Sequence, residues 1–362
     1  MIKVIVIHSL SFTGTTWLNV LLGCHERAFA LGPPDRVMNL RDQKRDDACR
    51  VHGKDCAFWS VFFRDYDKRK SFFMQLAQAA DKDVIVINNP IHKGLAEKQL
   101  NSPDIIIKDI YIVRDGRAVC ASYCRHQQGS DFYDVVKNWF RPSAENFPFA
   151  SDNPDIMTVR YEDVVKDQQG FINDAGLFVG LEYPQNYYKF WEFDHHITAG
   201  NSGFIAMIRR FQADKVIGIN NKEFYESECR KLKKQPEKAM LDERWKNELG
   251  ERELFIFDYF CGRVNESWGY TRDCFNASQI EDFKTEIMQA EGELHPISDS
   301  PDFSKSLDLR QQLSIKTLRS EGLHLKPYQL KKLFLICLAL FAFGIFFVII
   351  LTVLVTLMFT KM

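Results

Sequence analysis

Residues 9–18 read SLSFTGTTWL and lie between an apolar run, KVIVI, and a stretch patterned as a helix. A strand, a turn with one glycine and hydroxyl residues opening a helix form a cradle for a phosphate. The unpaired N–H groups and the dipole at a helix N-terminus both favour an anion. Gly14 allows close backbone approach. The amides of Thr13, Gly14, Thr15 and Thr16 would hold the anion, and the hydroxyls of Thr15 and Thr16 add donors. The nucleoside-triphosphatase loop, G-x-x-x-x-G-K-[ST], requires Gly where this chain has Ser9 and Lys where it has Thr15. That argues against hydrolysis of ATP or GTP. With no clear strand Asp to hold Mg²⁺, it also argues against a P-loop kinase.

Two further segments support an anion site. In YIVRDGRAVCASY (111–123) an apolar run ends at Val113, Arg114 follows, and Ser122 stands two helical turns on. An Arg at the carboxyl end of a parallel strand is placed for phosphate, and its planar fork suits phosphate oxygens. VRYEDVVKD (159–167) follows another strand-like run. VINNPIHKG (86–94) supplies His92, a candidate general base with an unperturbed pKa near about 6.5, and Lys93, a candidate cation. His195 and His196 are further candidates for acting on substrate. Cys49, His52 and Cys56 stand at C-x₂-H-x₃-C. A structural zinc site takes four ligands and only three are local, so these residues read as reduced thiols beside aromatic residues, and no metal is assigned.

These residues need a parallel sheet to position them. Residues 2–7, 84–88, 105–113 and 156–160 are near-continuous Val/Ile runs, the pattern of strands buried on both faces. Helical patterns at Thr15–Cys24, Lys68–Ala80, Arg117–Arg125 and Asp163–Val179 alternate with them, which predicts an α/β fold of βαβ units. Residues 186–270 read as mostly helical and aromatic, and residues 275–332 as a charged linker with some helix. The chain has 362 residues and a net charge of −1, so no general basic excess draws it to nucleic acid and any anion site is local. The nine cysteines are scattered and odd in number, which fits reduced thiols rather than a disulfide framework.

Leu333 to Thr360 carries no charged residue and exceeds the ~20 residues that span a bilayer. Lys331 and Lys332 precede it. The stretch reads as a C-terminal transmembrane tail anchor, with the main domain cytoplasmic. The expected organisation is a domain at 1–274, a linker at 275–332 and the anchor at 333–360.

Over roughly residues 1–272 the chain resembles the sulfotransferase superfamily, which uses 3′-phosphoadenosine 5′-phosphosulfate (PAPS). SFTGTTWL is similar to that family's 5′-phosphosulfate loop, [KR]-S-G-[ST]-T-W-L. VRDGRAVCAS resembles its 3′-phosphate site, which implies that Arg114 and Ser122 hold the 3′-phosphate. VRYEDVVKD is similar to its RYEDL segment, DHHITAGN (194–201) to HH-x-x-x-GN, and ERWKNEL (243–249) to a late DWKN segment near the nucleotide. The resemblance implies a P-loop-like parallel sheet flanked by helices and Trp17 near the adenine. It also implies transfer of a sulfuryl group to a hydroxyl or amine of an acceptor, a small molecule or a glycan, without a required metal. The tail anchor, by placing the cleft near the bilayer, adds a lipid as an expected acceptor. One departure stands out. The family's loop opens with a Lys or Arg beside the leaving oxygen, and here that position is Phe12. A membrane-attached PAPS- or PAP-binding sensor or scaffold without catalysis is the alternative expectation.

Overall fold

Five strands form one parallel sheet. β1 (Ile2–His8), β2 (Ala28–Gly32), β3 (Val84–Asn89), β4 (Ile105–Val113) and β5 (Ile156–Arg160) lie in the order β2-β3-β1-β4-β5. Every neighbouring pair is parallel. The structure, a computed structural model, describes residues 1–38, 48–89, 100–151, 153–213, 222–238 and 241–291. Val4 and Ile5 of the central strand are consecutive, point to opposite faces and are both fully buried, so the sheet is covered on both sides.

The edge strand β2, AFALG, has no extended apolar run to announce it. It pairs only with β3, and its register shifts between Ala30 and Gly32. β4 is not buried throughout. β5 begins opposite Asp109, so the start of β4 has no neighbour on that side, and Ile106 and Ile107 are exposed.

From β1 the chain builds β2 and β3 on one side and β4 and β5 on the other. The carboxyl ends of β1 and β4 therefore flank the switch point at which ligands bind in open parallel sheets. Helix α1 (Thr15–Leu22) follows β1 directly, and Asn19 Nδ2 donates to the Val86 carbonyl of β3 at 3.0 Å. Helix α2 (Gly116–His126) follows β4 and is capped by Asp115, whose carboxylate accepts from the Arg117 amide. Helix α3 (Phe132–Ser151) is the longest among the described residues, and the prolines at 142 and 148 hide it from a propensity reading. The expected helix at 163–179 is two helices, α4 (Tyr161–Lys166) and α5 (Gln168–Val179). The break falls at Asp167, which leaves helical geometry to cap α5 through the Gly170 amide.

Helix α6 (Glu251–Ser267) packs on α3. Of the expected linker, the structure describes a helix, Ala277–Glu291, whose Phe283 ring lies 5.1 Å from that of Phe255 on α6. His92, Lys93 and the apolar stretch 333–360 lie outside the described residues. No helix among the described residues is long and apolar enough to cross a membrane.

Ile5→Ala removes fully buried atoms from the central strand and is expected to cost about 2–5 kcal/mol in urea unfolding. Ile107→Ala, at the uncovered start of β4, should shift stability by no more than about 0.5 kcal/mol. Equal costs would show that the start of β4 is covered in solution.

Candidate functional site

The loop between β1 and α1 is braced by its own hydroxyls. Thr13 Oγ1 donates to the Leu10 carbonyl at 2.9 Å and lies 3.2 Å from Thr15 Oγ1, which is 2.8 Å from Ser9 Oγ. Thr16 Oγ1 accepts from the Asn201 amide at 2.9 Å. Gly14 takes φ +90°, a left-handed conformation, and a Cβ there would lie 2.7 Å from the Tyr161 ring. Gly14 therefore serves both backbone and packing. Phe12 also has positive φ, 66°, which is costly for an aromatic residue. Its ring packs 4.9 Å from that of His126 and 5.7 Å from that of Tyr123.

Arg114 leaves the end of β4 and is almost fully buried. Its Nη1 donates to the Phe12 carbonyl at 3.0 Å and its Nη2 to the Asp242 carbonyl at 2.7 Å. The guanidinium lies over the Tyr161 ring, 4.7 Å from its centroid. Arg114 Nε is a buried donor without a hydrogen-bond partner among the described residues.

Asp242 is surrounded by cations. Arg244 donates to its two carboxylate oxygens at 2.8 and 2.9 Å, Arg125 to one at 3.3 Å, and Arg114 Nη2 lies 3.6 Å away. Burial alone would raise the Asp242 carboxyl. The Arg244 hydrogen bond and the charges of Arg114, Arg244 and Arg125 outweigh burial and hold it well below the usual carboxylate range.

Helix α2 is fixed at its start by a buried network. Asp115 takes Arg117 Nε at 3.0 Å and Nη2 at 2.7 Å, and Asn265 bridges the Gly116 amide and Asp115. Glu162, next to Tyr161, accepts from the Asp115 amide and, at 2.6 Å, from the Tyr270 hydroxyl. The RYED segment thus supports the loop and the end of β4 from below: its Tyr packs against Gly14 and Arg114, and its Glu anchors Asp115. Two turns along α2 are Ser122 and then His126, whose Nδ1 donates to the Ser122 carbonyl at 2.8 Å. A carbonyl only accepts, so this bond places the His126 proton on Nδ1.

These parts share one cavity of about 720 Å³, within the ~300–1,000 Å³ range of ligand sites. Gly14, Thr15, Thr16, Trp17, Arg114 and Ser122 all line it, as do His126, Asn88 and Arg244. Thr13 does not. It is buried within the loop, with its hydroxyl turned to the Leu10 carbonyl. Trp17 is mostly core, packed edge-on to Tyr161 at 6.0 Å, with one part lining the cavity. His195 and His196 do not line it. His195 is buried, its Nε2 donates to the Phe190 carbonyl at 2.7 Å, and burial pushes it down to about 4. His196 lies instead beside Cys56.

Residues 5–185 match the sequence profile of the Sulfotransferase family. The chain belongs to this family. Among solved structures, a sulfotransferase domain from the curacin biosynthetic pathway is 16% identical at TM-score 0.48, covering 75% of this chain and 99% of that one. A sulfotransferase domain from the Synechococcus PCC 7002 olefin synthase is 14% identical at TM-score 0.43, over 66% and 96%. Retinol dehydratase in complex with retinol and PAP is 12% identical at TM-score 0.38, over 75% and 83%. No curated protein matches the chain.

His126 and Asp242, which line the cavity, and Arg125, which holds Asp242, are the residues that sequence reasoning overlooked. The i, i+4 spacing from Ser122 could have placed His126 on the same face of α2. Arg244 lies in the ERWKNEL segment, but nothing local to Asp242 marks it as the partner of three arginines.

Gly14→Ala forces a left-handed alanine, at about 1–2 kcal/mol, and a clash with Tyr161. Gly53→Ala, at φ +66° with open space around it, meets only the backbone strain. Unfolding should therefore show Gly14→Ala as the more destabilised of the two, and the gap reads the Tyr161 contact. Asp242 contributes stability that is complete above the ordinary value of 3.8 and is lost as pH falls below it, because the unfolded chain takes up the proton first. Stability measured across this acid range should fall more steeply for the parent than for Asp242→Asn.

Proposed function

We propose that the chain transfers a sulfuryl group from PAPS to a hydroxyl or amine acceptor. The observation that carries this reading is the convergence of the phosphate loop, Arg114, Ser122 and Arg244 on one cavity at the switch point of the sheet. The backbone amides of residues 13–16 would hold the 5′ end. Arg114, Ser122 and Arg244 would hold the 3′-phosphate, with an oxygen of that group satisfying Arg114 Nε. Transfer is an in-line displacement: the acceptor oxygen or nitrogen bonds to sulfur, the bond from sulfur to the phosphate oxygen breaks, and PAP leaves. His92 is the proposed base that takes the acceptor proton, and Lys93 the proposed replacement for the loop cation. His126 is a second imidazole, described in the cavity, that can serve either the proton or the charge.

We also propose that residues 333–360 anchor a cytoplasmic domain to a membrane and that the acceptor is a lipid, a lipid-linked glycan or another carbohydrate. Incubation of the full chain with labelled PAPS and a detergent-solubilised lipid extract should label a lipid. Label found only in soluble acceptors would remove the lipid proposal.

A second reading, nucleotide binding without catalysis, is favoured by Phe12, which presents a ring where the family carries a cation. Calorimetric titration of PAP into the full chain separates the readings in two stages. Binding by the parent should weaken about 10- to 150-fold in Arg114→Ala, the loss of a charge-assisted hydrogen bond of about 1.5–3 kcal/mol. A folded parent that does not bind PAP would exclude both readings. If PAP binds but no acceptor is sulfated, Phe12→Lys should restore transfer to a site that is only missing its cation.

A further inference from the structure

Away from the cavity, four metal-ligating side chains converge. Cys49, His52 and Cys56 come from one turn, and the fold brings His196 to them from 140 residues beyond Cys56. Their ligand atoms all lie within 4.8 Å of one another. His52 Nδ1 is 3.5 Å from Cys49 Sγ, and His196 Nδ1 is 3.3 Å from Cys56 Sγ. Zn–S bonds of ~2.3 Å and Zn–N bonds of ~2.0–2.1 Å set at the tetrahedral angle give a sulfur-to-nitrogen edge of about 3.6 Å. The observed separations are close to that edge.

The surroundings orient the same four atoms. Asp194 faces both imidazoles from the far side, Oδ1 at 3.5 Å from His52 Nε2 and Oδ2 at 3.1 Å from His196 Nε2. A carboxylate beside both Nε2 atoms favours the protons there and leaves Nδ1 of each ring as the nitrogen nearer a sulfur, the outer-shell pattern of histidine–metal sites. The His52 amide donates to Cys49 Sγ at 3.3 Å, as amides do to thiolates. Packing alone accounts for aromatic contact, and the His196 ring does stack on Phe58 at 4.7 Å. Packing does not require two thiols, two imidazole nitrogens and a shared carboxylate to be aimed at one point.

We propose that Cys49, His52, Cys56 and His196 bind one structural Zn²⁺. Two sulfurs and two nitrogens suit zinc rather than magnesium or calcium, which take oxygen ligands. Four protein ligands close the site, which is the structural rather than the catalytic arrangement. Binding releases one proton from each thiol, and the two thiolates neutralise the ion, so the buried site carries no net charge. The ion reaches it past His52, whose side chain is 33% exposed.

The site would act as a staple. The Arg50 amide already donates to the Ile197 carbonyl at 2.8 Å, and the Thr198 amide to the Leu31 carbonyl at 3.0 Å. The same segment continues to Asn201, whose amide holds Thr16 at the start of α1. Zinc would fix the turn at 48–56 to the segment that supports the phosphate loop.

The test uses the full chain, purified with reduced thiols. Elemental analysis should find one zinc per chain. Replacement by Co²⁺ should give the visible absorption of tetrahedral cobalt and a thiolate-to-cobalt charge-transfer band. Cys56→Ser and His196→Gln should lose or shift both bands, while Cys274→Ser, at an exposed cysteine, should leave them unchanged. A folded, reduced parent that retains no zinc and gives no tetrahedral cobalt spectrum overturns the proposal. So does an octahedral cobalt spectrum, or a Cys49–Cys56 disulfide mapped in protein prepared without oxidation. Where a variant does not fold, the parent's metal content and cobalt spectrum still decide the matter.

Discussion

Burying a guanidinium costs several kcal/mol unless its charge and its donors are answered from within the protein. Arg114 is answered from three separate parts of the chain: the Phe12 carbonyl in the loop after β1, the Tyr161 ring at the start of α4, and the backbone and side chain of Asp242. Each of these is placed by something else. Tyr161 is held by its packing against Gly14, and Asp242 by Arg244 and Arg125. Arg114 is thus the point at which the loop, the end of β4, the RYED segment and the 242–244 segment meet. Moving any one of them leaves a buried charge or donor unmet, so the cavity walls form a coupled set rather than independent contributions.

The same coupling explains which features could be read in the sequence. The runs at 2–7 and 84–88 were legible because strands buried on both faces favour Val and Ile at nearly every position. Those at 105–113 and 156–160, only partly buried, were legible from their β-branched residues. β2 was not, because AFALG is only five residues long and carries no Val or Ile, so it lacks the β-branched signature although every residue of it is buried. Helix α3 was hidden by its prolines, which mean "no helix" locally and are overridden here by packing against α2 and α6. Gly14, Arg114 and Ser122 were found because motif spacing records a backbone approach or a helical turn. Asp242 depends on which surfaces the fold brings together, whereas His126 follows Ser122 by one helical turn and was within reach of the same spacing argument. His196 is the plainest case. The sequence offers it as a candidate for acting on substrate, yet it stands beside Cys56, and a pattern running along the chain gives no sign of a partner that lies 140 residues away.

Phe12 and Asp242 give this site its individual character. A left-handed aromatic residue is tolerated because its carbonyl is taken by Arg114 and its ring by His126 and Tyr123. Asp242 sets a carboxylate among three guanidiniums and trims the positive field that an incoming anion meets. A cradle trimmed in this way attracts simple anions weakly and rewards a ligand that fits several of its contacts at once.

The cavity is lined by residues drawn from Ile7 to Arg244. Its walls are therefore among the most non-local features of the molecule, and such contacts come late in folding because long loops must close first. A chain emerging during synthesis displays the loop after β1 early but has no complete pocket until Arg244 has been made and packed. Any ligand of the finished cavity binds only the fully assembled state and so draws nascent chains towards it by mass action. In a cell, the supply of that ligand would bear on how much of this protein accumulates as well as on what it does.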